Sequence, residues 1–116
     1  MTLSTQFLRD TYAVNLRTGR LVNRKTGRSI GAVDERGRVR FYVGNKQYAM
    51  KRVVWQLITG DVPQGKVVAE DGLASNIAWD NLCLHHEDGR VIRARDATIS
   101  PDAVLLGAQE VGNDGR

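Results

Sequence analysis

A single cysteine, Cys83, leaves this 116-residue sequence unable to close a disulfide within the chain. That is the pattern of a protein made for a reducing compartment. No stretch approaches the roughly eighteen consecutive apolar residues of a membrane span. Residues 1–10 lack a basic head followed by a long apolar run, so no secretory leader is expected. There is no internal repeat and no low-complexity tract. These absences predict a soluble, cytoplasmic protein with no membrane partner.

What is present is an ordinary apolar share, 41%, in a chain long enough for one modest core and too short for two. The net charge of +4 conceals a steep asymmetry. Residues 1–66 carry thirteen Lys and Arg against four acidic residues, a local balance of +9. Residues 67–116 carry four Arg against nine acidic residues, a balance of −5. A basic half beside an acidic half suggests a polyanion-binding surface next to something else.

Turn signals divide the first half into short strand candidates. Thr18-Gly19 precedes residues 20–23, Thr26-Gly27 precedes 29–34, and Arg36-Gly37 precedes 38–43. Residues 2–15 read as a short helix or an irregular lead-in. The clearest element is a hairpin in which residues 38–43 and 46–50 flank Gly44-Asn45, a pair that favours a type II′ turn. In that register Val43 faces Lys46, Phe41 faces Tyr48 and Val39 faces Met50. Alternation then puts Val39, Phe41, Val43, Tyr48 and Met50 toward a core. Arg38, Arg40, Tyr42, Gln47 and Ala49 fall on the opposite face. Residues 51–59 follow as a helix, with Met50, Val54, Leu57 and Ile58 at helical spacing, Trp55 in the core and Gly60 as the stop. Further on, residues 67–69 suggest a strand, Asp71-Gly72 a turn, and Ser75 or Asn76 the cap of a short helix through Leu82. Ser100-Pro101-Asp102 reads as a helix start with Ser as cap, and residues 112–116 as a frayed end.

The stretch from Tyr48 to Leu82, YAMKRVVWQLITGDVPQGKVVAEDGLASNIAWDNL, resembles the HNH homing-endonuclease family of phages. Members typically carry a His-Arg-Leu-x-Trp helix and a Gly-x-x-Pro loop. Val-Asp-His-Ile-Asp-Gly, two asparagines and Asn-Leu follow. Here Lys51-Arg52-Val53-Val54-Trp55 matches the helix and Gly60-Asp61-Val62-Pro63 the loop. Val67, Asp71, Gly72, Asn76 and Asn81-Leu82 fall into register without a gap. The resemblance covers residues 12 to 85 and implies an α+β fold: a small antiparallel meander and hairpin, then a helix, then a degenerate ββα segment. It implies one HNH-like domain over residues 1–96. Within it lie a basic β-rich part (12–50), the helix (51–59) and the degenerate motif (67–86). A C-terminal extension with a short helix occupies 97–116.

A ββα nuclease activates water with a histidine base and stabilises the leaving oxygen with a divalent ion held by a carboxylate and by an asparagine or histidine. The family's Asp-His pair supplies that carboxylate and that base. Val68 and Ala69 stand in those two positions, and neither accepts a proton or binds a hard cation. Asn81 matches the remaining metal ligand, Asn76 a supporting asparagine, and Lys51 replaces the family histidine ahead of Arg52. No catalytic residue and no metal site is therefore assigned, and no cofactor is expected. Mg2+ would matter only if Glu70 or Asp71 held a metal and His85 or His86 acted as base, leaving a weak nicking endonuclease. Asn76 and Asn81 also have plain structural roles, as a helix cap and a loop pin. Cys83 reads as a small buried hydrophobe.

What remains is a binding surface. A two-stranded ribbon can enter the major groove with arginines on phosphates or guanine edges. Arg38, Arg40, Tyr42 and Gln47 share one face of the hairpin. Arg24, Lys25 and Arg28 would add phosphate contacts from the preceding turn, and Lys51 and Arg52 from the helix start. The sequence thus predicts a catalytically inactive scaffold that binds double-stranded DNA in the cytoplasm, that of the host if phage-encoded. The competing reading is an effector that inhibits a host protein through acidic residues Glu70, Asp71, Asp80, Glu87 and Asp88.

Overall fold

The computed structural model describes residues 3–104, the side chain of Asp102 excepted. Helix α1 (Thr5–Thr11) starts where the Ser4 hydroxyl accepts a hydrogen bond from the Phe7 amide. It runs directly into β1 (Tyr12–Asn15), which pairs antiparallel with β2 (Arg20–Asn23). The lead-in is thus half helix, half strand.

A three-stranded antiparallel sheet follows, in the order β3 (Ala32–Val33), β4 (Val39–Val43), β5 (Lys46–Ala49). The expected strand over 29–34 shrinks to two residues. Ser29 is held in an isolated bridge to Val22, and the Ile30 amide donates to the Leu21 carbonyl, so both serve β2 instead. The hairpin register matches expectation at Val43–Lys46 and Phe41–Tyr48. Gly44 takes φ +61° while Asn45 does not adopt positive φ, the pattern of a type II′ turn. The Val39–Met50 pair does not form. Met50 already belongs to α2 (Met50–Thr59), which begins the moment β5 ends.

Helix α2 is the hub of the molecule. Met50, Val53, Val54, Trp55, Leu57 and Ile58 are all buried, and Gly60 ends the helix with its amide on the Gln56 carbonyl. Around it pack α1, β1, β2, β4, β5 and the third sheet, with order β6 (Gly65–Ala69), β7 (Leu82–His86), β8 (Val91–Arg93). The fold is α+β, with the hairpin followed by the helix. The short helix expected before Leu82 contracts to one 3-10 turn, Trp79–Asn81. Trp79 joins Trp55 in the core at a ring-centroid distance of 5.3 Å.

Residues 97–104 do not stand apart as an extension. Ala103 is fully buried, the Ser100 amide donates to the Ile58 carbonyl, and Val104 bridges Val14. The helix start at Ser100 yields a 3-10 turn, Pro101–Ala103, without a side-chain cap, because the Ser100 hydroxyl accepts from Arg9 instead. The expected frayed end at 112–116 lies outside the described residues. Among the described residues, no helix is long and apolar enough to cross a membrane.

Candidate nucleic-acid interface

The interface is organised by a carboxylate that sequence reading assigned to the end of a strand. Asp34 opens the β3–β4 turn, and its Oδ1 accepts from the Arg36 and Arg38 amides, both at 2.9 Å. Its Oδ2 accepts from Arg38 Nε at 3.0 Å and lies 3.6 Å from Arg40 Nε. Partial desolvation alone would raise the Asp34 pKa. The hydrogen bonds from Arg38 and Arg36 outweigh it and hold the carboxyl below its ordinary value. The Asp-x-Arg-Gly-Arg spacing is an Asx-turn signal, so this arrangement was available in the sequence.

Lys51 adds a third cation. It is half-buried at the start of α2, and burial together with the neighbouring charges of Arg40 and Arg38 pushes its pKa down. Two arginines therefore share one carboxylate, with a third cation close enough to feel both. Beside them Tyr42 is 64% exposed, and its hydroxyl accepts from Gln47 Nε2 at 3.0 Å. Arg38, Arg40, Tyr42 and Gln47 are thus brought together as the register predicted.

The turn carrying Arg24, Lys25 and Arg28 adjoins this face. Asn23 and Ile30, which bracket the turn, line the same groove as Arg40, Tyr42 and Gln47. Asn23 fixes the turn by accepting from the Lys25 and Thr26 amides. Lys25 and Arg28 are exposed, while Arg24 Nε donates to the Arg9 carbonyl at 2.7 Å. Exposed Arg36 and Lys46 extend the basic surface beyond the residues singled out from sequence.

Arg52 is exposed beside half-buried Lys51. Its guanidinium donates to the carbonyls of Gly65 and Pro63, tying α2 to the loop ahead of β6.

Asp71, Asn76 and Asn81 form a separate cluster. Asp71 Oδ2 accepts from Asn76 Nδ2 at 2.8 Å, and Oδ1 from Asn81 Nδ2 at 3.1 Å and the Leu73 amide at 2.9 Å. Asn81 Nδ2 also donates to the Asn76 carbonyl. These bonds lower the Asp71 pKa. Asn81 pins the loop, and Asn76 is drawn to Asp71 instead of capping a helix. The donor set does not fit a divalent ion. Val68 and Ala69 are apolar, the Asp71 carboxylate is engaged by Asn76, Asn81 and Leu73, and the described residues contain no cluster of three His, Cys, Asp or Glu. The histidines are also misplaced for chemistry there. His85 pairs with Lys66 and His86 with Gly65, whereas Ala69 pairs with Leu82 at the loop end. Three residues of strand separate the two ends, about 10 Å. His86 Nδ1 turns instead to Asp88, at 3.0 Å from Oδ1.

Two carboxylates of the acidic half pair with arginines of the same half. Glu70 lies 3.7 Å from both Arg93 and Arg95, and Asp88 pairs with Arg90 at 2.7 Å. Cys83 is buried, and burial raises its thiol pKa, which makes it a poor nucleophile. Comparison with protein-family models, with curated proteins and with solved structures finds no match to this chain.

Proposed function

We propose that this chain is a catalytically inactive, HNH-like DNA-binding protein that docks on double-stranded DNA through the basic hairpin face. It needs no cofactor for this and acts in the cytoplasm, that of the host if phage-encoded. One observation carries the reading: Arg38 and Arg40 share the single carboxylate of Asp34, and Lys51 stands within the field of both arginines, beside an exposed tyrosine and glutamine. Like charges held together against partial burial cost stability unless a polyanion relieves them. A DNA phosphate is such a partner, and Lys25 and Arg28 extend the same field along a strand. The host-protein alternative relies on five acidic groups; Glu70, Asp71 and Asp88 already face arginines or asparagines of the chain itself, which leaves Asp80 and Glu87 exposed to serve it.

The test is affinity for a labelled random duplex. Replacing Arg40 and Lys51 by Gln leaves the Asp34–Arg38 pair intact and should weaken binding by roughly tenfold or more at low salt. Unchanged affinity in the folded double variant would remove the hairpin from the DNA face. Magnesium-dependent nicking would revive the enzyme, and stable capture of a host protein by a chain that ignores DNA would favour the effector.

A further inference from the structure

The hairpin face borders a groove of about 570 Å3, walled on one side by Tyr12 and Asn23 of the β1–β2 ribbon and on the other by β4 and β5. That volume lies within the range of small-ligand sites. We infer that this groove is a nucleotide subsite, taking one base together with its phosphate. The inference rests on the proposed reading of the hairpin as a nucleic-acid face and names the unit that the face recognises.

Three features of a nucleoside phosphate each find a counterpart. A flat ring needs an aromatic surface, and Tyr42 offers one at the groove mouth, 64% exposed and steadied by the Gln47 bond to its hydroxyl. The floor is aromatic too. Tyr12 and Phe41 meet edge to face there, with centroids 6.1 Å apart. A base edge needs paired donors and acceptors, and the Asn23 and Gln47 amides both line the groove. The phosphate needs a cation with unused capacity. Arg40 lines the groove, and its Nε makes no hydrogen bond and only a 3.6 Å ion pair to Asp34, so the guanidinium keeps capacity for an anion. Asp34 also lines the groove and opposes an anion, but Arg38 and Arg40 flank its carboxylate. An extended peptide fits less well, because β3 has only two residues of edge for strand addition.

The nucleotide could belong to a single strand or be free, and the experiment separates the two. Full-length protein is titrated with a short labelled oligothymidine, with thymidine monophosphate as competitor, and with a labelled duplex. Tyr42→Leu and Tyr42→Phe are compared with wild type. Tyr42 is exposed, so both variants should keep the wild-type unfolding temperature. Tyr42→Leu should bind the single strand roughly ten- to a hundredfold more weakly, because it removes one base-stacking platform. Tyr42→Phe should bind the single strand like wild type, and Tyr42→Leu should weaken single-strand binding by a larger factor than duplex binding. Competition by the monophosphate assigns the groove to free nucleotides; its absence, with the Tyr42 dependence intact, assigns it to a strand. Single-strand binding indifferent to Tyr42→Leu overturns the subsite while leaving the duplex reading in place. Failure of both strand and duplex to bind overturns both.

Discussion

Lys51, at the start of α2, sits against two like charges. Its ammonium is half-buried and faces the charges of Arg40 and Arg38, so its pKa is pushed below the ordinary value. A lysine whose folded pKa lies below its unfolded one holds fewer protons when folded, so stability rises as pH climbs through the interval between them. At neutral pH the charge is present in both states and the fold carries the full penalty. Lys51→Gln should therefore raise the unfolding temperature while weakening duplex binding. A fall in both would mean that Lys51 serves packing. Asp71 behaves in the opposite sense. Bonds from Leu73, Asn81 and Asn76 lower its pKa, so its contribution is present above about pH 4 and is lost as pH falls through its folded value. The side-chain amide signals of Asn76 and Asn81 should move together on acidification below that point. In Asp71→Ala they should already sit at the shifted position at neutral pH. The loop-pinning role of Asn81 was legible in the sequence, and its bond to the Asn76 carbonyl bears it out. The structural duties of Arg9 and Arg52 were not, because both guanidiniums donate to carbonyls remote in sequence.

The elements divide by how local their causes are. The hairpin and α2 were legible because a Gly-Asn turn, strict alternation and a 3.6-residue period all act within a few residues. The helix expected before Leu82 was not, because Asn76 and Asn81 bond to Asp71 and draw the segment into a loop that ends in a single 3-10 turn. The short β3 likewise reflects long-range pairing, with Ser29 and Ile30 claimed by β2. Docking between elements is tightest where the β1–β2 turn meets the loop before Trp79. Gly19 has φ +73°, and a Cβ there would fall 1.6 Å from the Ile77 carbonyl oxygen. Gly19→Ala should destabilise the protein by about 3 kcal/mol, from strain plus the displaced loop. Thermal unfolding reads this directly. A variant as stable as wild type would mean that the turn and the loop are not in contact.

At the scale of the molecule, the charge asymmetry read from sequence resolves into two unlike halves. In the second half, Glu70, Asp71 and Asp88 are answered nearby, by Arg90, Arg93, Arg95 and two asparagines. In the first half, Asp34 answers Arg38 and Arg40, Lys51 faces those two like charges, and Lys25 and Arg28 stand exposed on the adjoining turn. Composition could reveal the imbalance but not which cations are answered, since that depends on side chains meeting across turns and strands. The central claim, that the unanswered cations meet phosphates, is tested most directly by the salt dependence of duplex affinity. Four phosphate contacts predict roughly a hundredfold loss between about 50 and 200 mM salt, and roughly fortyfold for Lys51→Gln with one contact fewer. An affinity that is absent at low salt, or that does not vary with salt in wild-type protein, would contradict the account.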